Sequence, residues 1–405
     1  MRVNRVEQTQ IDKNHPMWSV IDQYSYYSKN LYNYANYIIR QDFIRTGNYI
    51  KYHDIDKFLH HEQPYKQLMS QASQCTLQML DRCWKSFFVT SKEYKKNPDK
   101  FLGRPSLPKY KKKDGRYPWI LKNNQIYFKD GYLWFKLRVF NGYKFKTHLT
   151  DNDRIISIRF IPRGCVYVLE IVYEKEIPAI TDQEAKRIIS IDLGVNNFAT
   201  ITNNIGESPI IINGKGIKSI NQFYNKQRAK IQSELKKVNN KEWSNKLSKL
   251  TLKRNNRIKN FMNNASKYII QYCIKNQIDT IVIGKNDGWK QNSKLRDKTN
   301  QHFIQLPDES FLQMLEYKGQ DIGLTVIKNN ESYTSGTSFL DDELPIKENY
   351  NKKRRIVRGL FKSNSGRLIN SDVNGSLQIM RKVFPNIFKD YGIEGSLTPI
   401  IINVI

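Results

Sequence analysis

The segment that decides the fold is residues 189–201, ISIDLGVNNFATI. An apolar run ends at Asp192 and is followed by Gly194, which is typical of a buried strand that enters a tight turn. The apolar pattern resumes at FATI, so we expect the next strand of a meander there. A carboxylate at the end of a buried strand is costly unless it is exposed or meets a cation, so Asp192 is a candidate functional residue.

A second candidate carboxylate lies in residues 370–383, NSDVNGSLQIMRKV. Val373, Leu377 and Met380 share one face of a predicted helix, and Asp372 stands at its start. That position leaves a second interpretation, a helix-capping residue. Strands and helices alternate between Asp192 and Asp372, which predicts a mixed sheet with helices on its faces. Two aspartates on such a sheet suggest carboxylates that hold Mg²⁺ for phosphodiester hydrolysis.

The charge of the chain indicates its partners. Its 405 residues predict two to four domains, and 67 Lys and Arg against 38 Asp and Glu give a net charge of +29. Such a charge favours a polyanionic partner, most commonly nucleic acid, and argues against an enzyme that acts alone on small metabolites. We find no signal peptide and no apolar run long enough for a membrane span, so we expect a soluble intracellular protein.

Periodicity divides the chain into three parts. Residues 17–98 carry apolar positions at helical spacing. From Tyr117 to Tyr173 apolar and polar residues alternate with a period of two. In the strand predicted at Leu133–Val139, the apolar side chains would lie on one face and Trp134, Lys136 and Arg138 on the other. We expect a small antiparallel barrel whose first strand is residues 1–10. The fold class is therefore α/β plus all-β, with a helical insertion.

The two aspartate motifs resemble the first and third RuvC motifs of TnpB, a family of transposon-encoded nucleases related to type V CRISPR effectors. GRPSLPKYKKK (103–113) and YTSGTS (333–338) are similar to two further family segments. The resemblance implies an RNA-guided DNA endonuclease with an RNase H-like domain. It implies a wedge barrel at 1–16 and 104–185, a helical recognition domain at 17–103, and a nuclease domain at 186–405 with a target-binding module inserted at about 333–368.

The chain departs from the family at the second catalytic position. The strand DTIVIG commonly ends in a glutamate in the family, but here it ends in Gly284. Glu331 follows the strand LTVIK, which should pair beside DTIVIG about 4.8 Å away, so its carboxylate could reach the same place. Some family members carry such a relocated glutamate. Asp287 is a competing candidate, and a solvated loop acid is the alternative interpretation of Glu331.

A second departure concerns zinc. The family's module usually carries two Cys-x-x-Cys pairs, and our alignment places Ser338, Asp341, Lys362 and Ser365 at those four positions. The four cysteines of the chain lie elsewhere and form no such pair. We therefore expect no structural zinc. The module would instead be held by packing, with Phe339, Leu340, Leu360 and Phe361 as candidates, or be partly disordered.

The predicted function is Mg²⁺-dependent, RNA-guided DNA cleavage, with Mn²⁺ as a possible substitute ion. The preferred mechanism uses two metal ions, with Asp192 binding both and Glu331 and Asp372 holding one each. The partners would be a guide RNA from the element's own flanking region and double-stranded DNA, in the prokaryotic cytoplasm at the nucleoid. The alternative is a nuclease-dead, RNA-guided repressor. The predicted nucleic-acid contacts are all basic residues: Arg104, Lys109, Lys111, Lys112, Lys136, Arg138, Arg354, Arg355 and Arg358.

Overall fold

The computed structural model describes residues 1–179, 185–285, 305–388 and 397–404. They form two compact units, residues 2–176 and residues 177–405 with Met1. The α-helices of this part of the chain are α1 (Trp18–Thr46), α2 (Tyr52–Leu59), α3 (Gln63–Leu68), α4 (Ser70–Lys96), α5 (Lys215–Asn239), α6 (Asn245–Lys275), α7 (Asp308–Gln320) and α8 (Ser371–Val383). None of these helices is long and apolar enough to cross a membrane.

The strands belong to four sheets, so the protein is mixed α/β with several sheets. The strands are β1 (Arg2–Ile11), β2 (Trp119–Lys122), β3 (Ile126–Lys129), β4 (Tyr132–Phe135), β5 (Lys144–Lys146), β6 (Arg154–Arg163), β7 (Val166–Glu176), β8 (Ile188–Leu193), β9 (Asn197–Asn203), β10 (Ile210–Asn213), β11 (Thr280–Gly284), β12 (Thr325–Asn329), β13 (Arg355–Val357), β14 (Leu360–Lys362), β15 (Leu368–Asn370) and β16 (Ile400–Ile402).

The helices of the first unit pack through the apolar stripes that the sequence predicts. Ile21 and Leu31 on α1 and Leu77 and Trp84 on α4 are buried in one core. The indole N–H of Trp84 donates a hydrogen bond to Asn36 Oδ1 at 3.1 Å. The one polar group of this buried ring therefore has a hydrogen-bond partner.

Two antiparallel sheets complete the first unit. The larger has the order β1-β7-β6-β2, and the smaller has the order β3-β4-β5. The N-terminal strand β1 pairs with β7, so residues from before and after the helices form one sheet. Trp119 stacks at 5.5 Å on Phe140 and at 5.1 Å on Phe160, and these rings form the centre of the core.

The strand expected over Leu133–Val139 is shorter than predicted. β4 ends at Phe135, and Arg138–Phe140 forms a 3₁₀ turn that closes at Asn141, a residue with φ of 45°. Left-handed Asn followed by Gly142 reverses the chain, so the period-two pattern does not continue as a strand there. Lys136 and Arg138 remain exposed, but beyond the end of the sheet.

The basic connector 103–116 is bonded along α1. Asn36 Nδ2 donates to the carbonyl of Pro108 at 2.9 Å, and Lys29 Nζ donates to the carbonyl of Lys113 at 2.8 Å. Asn33 exchanges two hydrogen bonds with the backbone of Lys111. The polar face of α1 therefore holds residues 108–113 along the helix.

The second unit is built on a six-stranded sheet with the order β12-β11-β8-β9-β10-β16. β8, β11 and β12 are parallel neighbours, while β9 runs antiparallel to β8. Ile189 and Ile191 of β8 face a core that includes Phe261 of α6 and Phe311 of α7. The helix α8 packs on the sheet at β8, β9 and β11.

The segment expected to be the inserted module has its own sheet, β13-β14-β15, and a small apolar core. Phe339 and Phe361 are buried there against Val373 and Leu377 of α8, and Leu340 packs at the edge. Among the four positions aligned with zinc thiolates, Asp341 bridges the two loops: its carboxylate accepts hydrogen bonds from the backbone amides of Asn364 at 2.6 Å and Ser365 at 3.3 Å.

Candidate nuclease site

The alternation of side chains along β8 points Asp192 toward α8. Ile189 and Ile191 face the core on one side, so Ser190 and Asp192 face the other. On that side, the hydroxyl of Ser190 donates to the carbonyl of Ser376 at 2.7 Å. The contact shows that α8 lies directly over this face of the strand.

A buried cluster of hydroxyl groups holds α8 close to the sheet. Ser376 Oγ lies 2.9 Å from Thr202 Oγ1 and 3.2 Å from Ser190 Oγ, and it donates to the carbonyls of Ser190 and Thr200. The close approach leaves no room beside Asp192. A Cβ atom at Gly375 would lie 2.9 Å from Asp192 Oδ2, so a side chain there would displace the carboxylate.

Asp372 is not the capping residue of α8. The N-cap is Asn370, whose side-chain oxygen accepts from the amides of Asp372 at 2.9 Å and Val373 at 3.2 Å. The carboxylate of Asp372 instead accepts from Asn197 Nδ2 at 2.6 Å and from Arg355 at 3.4 Å. Its side chain is therefore oriented by β9 and by the inserted module.

Glu331 reaches the space that Gly284 leaves open. β11 and β12 are parallel neighbours, with Gly284 opposite Asn329, two residues before Glu331. A Cβ atom at Gly284 would lie 2.7 Å from Glu331 Oε2 and 2.5 Å from Ile379 Cδ1. The carboxylate of Glu331 thus lies beside the end of β11, where the family resemblance expects a glutamate. Asp287, the competing candidate, lies outside the described residues.

The three carboxylates line one cavity of about 550 Å³ together with Arg355. Burial raises the pKa of Asp192 well above its usual range, Glu331 and Asp372 raise it further, and Arg355 opposes them. Burial and Asp308 raise the pKa of Glu331 to about 6. The cavity therefore concentrates negative charge that Arg355 offsets only in part.

The donor set is one that a hard divalent cation uses, since carboxylate and hydroxyl oxygens suit Mg²⁺ and Mn²⁺. Two further oxygens of the cavity lining, Thr200 Oγ1 and Ser371 Oγ, are buried without a hydrogen-bond partner among the described residues. Among the residues that the structure describes, no group of three or more His, Cys, Asp or Glu side chains is already arranged to hold a metal ion. The carboxylates share a cavity without converging on one point.

A basic groove of about 810 Å³ adjoins the cavity and shares Asp372, Asn197 and Arg355 with it. Its lining adds Arg358, which is predicted from the sequence, and Lys215 and Lys218, which are not. These two lysines lie at the start of α5, far from any motif, and only the tertiary fold brings them here. Asn197 and Asp308 were also missed, although Asn197 lies within the quoted segment 189–201.

The remaining predicted basic residues occupy different environments. Arg354 is half-buried and forms an ion pair with Glu343, with Nη2 at 2.7 Å from Oε1, so its guanidinium is engaged within the module. Lys111 Nζ lies 4.5 Å from the ring centroid of Tyr32. The others are exposed: Arg104, Lys109, Lys112, Lys136 and Arg138. Their contacts with nucleic acid stay predictions.

Comparison with known proteins gives two family matches. Residues 170–290 match OrfB_IS605, described as a probable transposase, and residues 309–379 match the Cas12f1-like TNB domain. The TnpB-like protein ORF457 of Acidianus two-tailed virus is 23% identical over 393 residues, covering 88% of this chain and 81% of that protein.

Three solved structures are similar over most of the chain. A Cas12f1–sgRNA–target DNA complex covers 93% of this chain and 98% of its own, with 16% identity and a TM-score of 0.36. A CRISPR–Cas12f ternary complex covers 94% and 82%, with 14% identity and a TM-score of 0.38. CasPhi-2 bound to crRNA covers 94% and 98%, with 9% identity and a TM-score of 0.45. The two family matches and the curated relative together support placing the chain in the TnpB family.

Proposed function

We propose that this protein is an RNA-guided DNA endonuclease whose cleavage site is formed by Asp192, Glu331 and Asp372. The observation that carries the proposal is that these three acids, from separate segments of the chain, line one cavity. Family membership supports the reaction class, because transposon-associated nucleases of this family hydrolyse phosphodiester bonds. The position of Glu331 beside Gly284 supports the choice of the third acid.

In this proposal residues 186–405 form an RNase H-like, RuvC-type nuclease domain with the target-binding module inserted at about 333–368. Three parallel strands flanked by an antiparallel meander, with α8 across them, support it. Residues 1–16 and 104–185 form the wedge barrel, supported by the pairing of β1 with β7. Residues 17–103 form the helical recognition domain.

Asp192, Glu331 and Asp372 would hold Mg²⁺, or Mn²⁺ in its place, and Thr200 and Ser371 offer further oxygens nearby. When bound, such ions lower the pKa of an attacking water and stabilise negative charge on the departing oxygen. Burial and neighbouring carboxylates raise the pKa of Asp192, and burial and Asp308 raise that of Glu331; a bound divalent cation would favour the ionised form of both groups.

The protein's own groups orient the acids and the substrate. Asn197 and Arg355 fix the carboxylate of Asp372 through hydrogen bonds to its two oxygens. The groove beside the cavity presents Lys215, Lys218 and Arg358, which would bind the phosphates next to the cleaved bond. A nucleic-acid strand bound in this groove would lie next to the carboxylates, because the groove and the cavity have lining residues in common.

The partners would be a guide RNA transcribed from the element's own flanking region and a double-stranded DNA target. Guide pairing would select the sequence, and the protein would read a short duplex motif beside it. The net charge of +29 supports a large nucleic-acid partner.

The test is to co-express the chain with its flanking DNA, purify the complex with its RNA, and incubate it with a plasmid library and Mg²⁺. We expect cleavage by the wild type, and loss of cleavage with retained target binding for Asp192→Ala, Glu331→Ala and Asp372→Ala. Glu234→Ala, an exposed acid on α5, is the matched control and should cut normally.

Two outcomes would change the conclusion. Full cleavage by Glu331→Ala together with loss in Asp287→Ala would move the third ligand to Asp287. A wild-type complex that binds its target but never cuts, across titrations of Mg²⁺ and Mn²⁺, would establish the repressor function instead.

A further inference from the structure

The small sheet β3-β4-β5 of the first unit has two chemically different faces. Its inner face is apolar and lies in the core, through Ile126, Leu133, Phe135 and Phe145. Its outer face carries six side chains in two cross-strand rows, Tyr127–Trp134–Lys144 and Lys129–Tyr132–Lys146. Three of the six are aromatic, three are lysines, and none is acidic.

The aromatic residues of this face are arranged as a platform. Tyr127 and Trp134 have ring centroids 6.0 Å apart and planes within 7° of each other. Tyr127 is 43% exposed, so its ring is open to a ligand. Two aromatic rings with nearly parallel planes on one face of a sheet offer an exposed ring, that of Tyr127, on which a flat group can stack.

One lysine lies over two of the rings, and two further lysines flank Tyr132 on the neighbouring strands. Lys144 Nζ lies 4.1 Å from the ring centroid of Tyr132 and 4.9 Å from that of Trp134. Lys129 and Lys146 flank Tyr132 on the two outer strands, and all three lysines are exposed. Each cross-strand row therefore contains both an aromatic ring, which can stack on a base, and a lysine ammonium group, which can contact a phosphate. This combination matches the alternation of bases and phosphates along a nucleic-acid strand.

We propose that this outer face is a binding platform for single-stranded nucleic acid, with Tyr127, Tyr132 and Trp134 stacking on unpaired bases and Lys129, Lys144 and Lys146 contacting phosphates. A duplex hides its base faces, so it cannot use the rings. Three strands spaced about 4.8 Å apart give room for about two or three bases. The site deepens the proposed function, since it says how a single strand is held, but it does not depend on the nuclease site.

The test uses the full-length chain and short probes. A hexaribonucleotide carrying 4-thiouridine and a hexadeoxynucleotide carrying 4-thiothymidine are photo-crosslinked to the protein, and the attached peptide is located by mass spectrometry. We expect crosslinks within residues 126–146 for at least one probe. The stronger probe identifies the source as RNA or an unpaired DNA strand. Crosslinks confined to other parts of the chain would overturn the proposal.

Affinity measurements separate stacking from charge. Tyr127→Ala and Trp134→Ala should each weaken hexamer binding about 5- to 100-fold in fluorescence anisotropy, with the slope against salt unchanged. Lys144→Gln should lower the log-log salt slope by about 0.7. Trp243→Ala, which removes a 51% exposed indole from the other unit, is the matched control and should bind normally. Duplex binding should not change.

Because Tyr127 is the more exposed ring, its variant keeps the test valid if Trp134→Ala does not fold. Unchanged hexamer affinity in folded Tyr127→Ala, or an equal loss for duplex DNA, would contradict the platform. These measurements require no cleavage, so their failure is distinguishable from failure of the proposed nuclease.

Discussion

A Cβ atom at Gly284 would lie 2.7 Å from Oε2 of Glu331, so a side chain at the end of β11 and the side chain of Glu331 after β12 would occupy the same space. Only one of these two positions can carry a side chain that fills it. The glycine at the end of β11 is therefore not simply a lost functional residue. Its lack of a side chain is what allows Glu331, from the neighbouring strand, to approach.

The first prediction is that Gly284→Ala abolishes or strongly reduces cleavage. The added methyl group would meet both Glu331 Oε2 and Ile379 Cδ1, at 2.7 and 2.5 Å, and would displace the carboxylate. Overpacking of this kind costs about 1–3 kcal/mol, which a urea unfolding curve measures. Gly216→Ala is the control: outside its chain neighbours and the backbone of its own helix, nothing lies within 4 Å of the added Cβ, so cutting should persist. Normal cutting by Gly284→Ala would contradict the steric argument.

The second prediction separates activity from stability at α8. Gly375→Ala should lower cleavage at least tenfold, because its Cβ would lie 2.9 Å from Asp192 Oδ2. In a helix interior the same substitution normally favours folding by about 1 kcal/mol. We expect the thermal unfolding midpoint to stay unchanged while the rate of single-turnover cleavage falls. A parallel loss of both would show that the substitution damages the helix.

The sequence predicts the parts of the site that depend on local pattern. Asp192 near the end of β8 and Asp372 at the start of α8 follow from periodicity, and the pairing of β11 with β12 follows from the family resemblance. That Glu331 approaches Gly284 follows from strand pairing, since parallel neighbours end at the same edge of a sheet.

What the sequence does not predict depends on tertiary contacts. Two features have no local signature: the hydrogen bonds between segment 103–116 and α1, and the position of Lys215 in the groove that includes Asp372. The end of β4 at Phe135 is missed because its period-two pattern runs on into a turn at Asn141. A pattern of apolar residues does not report where the backbone leaves the sheet.

The third prediction is that the inserted module is stable without zinc. Asp341 bonds the amides of Asn364 and Ser365 across the two loops that would otherwise share a metal. We expect chelator treatment to leave the thermal midpoint unchanged and elemental analysis to find no stoichiometric zinc. Asp341→Ala should lower protection of residues 338–365 from hydrogen exchange by about 0.5–1.5 kcal/mol, because the two hydrogen bonds it removes are exposed. One equivalent of zinc that survives chelation would contradict the alignment.

The last prediction concerns pH and the ion pair between Glu343 and Arg354, whose side chains are 15% and 12% exposed. Burial would raise the pKa of Glu343, but hydrogen bonds from Arg354, Ser338 and Asn364 outweigh it and hold the pKa below its usual range. A carboxylate with a lowered pKa stabilises the fold above the unfolded-state value of about 4.3, and this stabilisation is lost as pH falls through the folded value.

The expected result is a pH-dependent difference between the wild type and Glu343→Gln. Near pH 7 the variant should lose about 2–4 kcal/mol in hydrogen-exchange protection of the module, because Arg354 is left half-buried without its partner. The difference should begin to shrink below pH 4.3, since protonated Glu343 in the wild type resembles glutamine. Glu348→Gln removes an exposed acid of the same module and should show no such profile. A difference that stays constant from pH 7 to pH 3.5 would show that the charge of Glu343 does not stabilise the module.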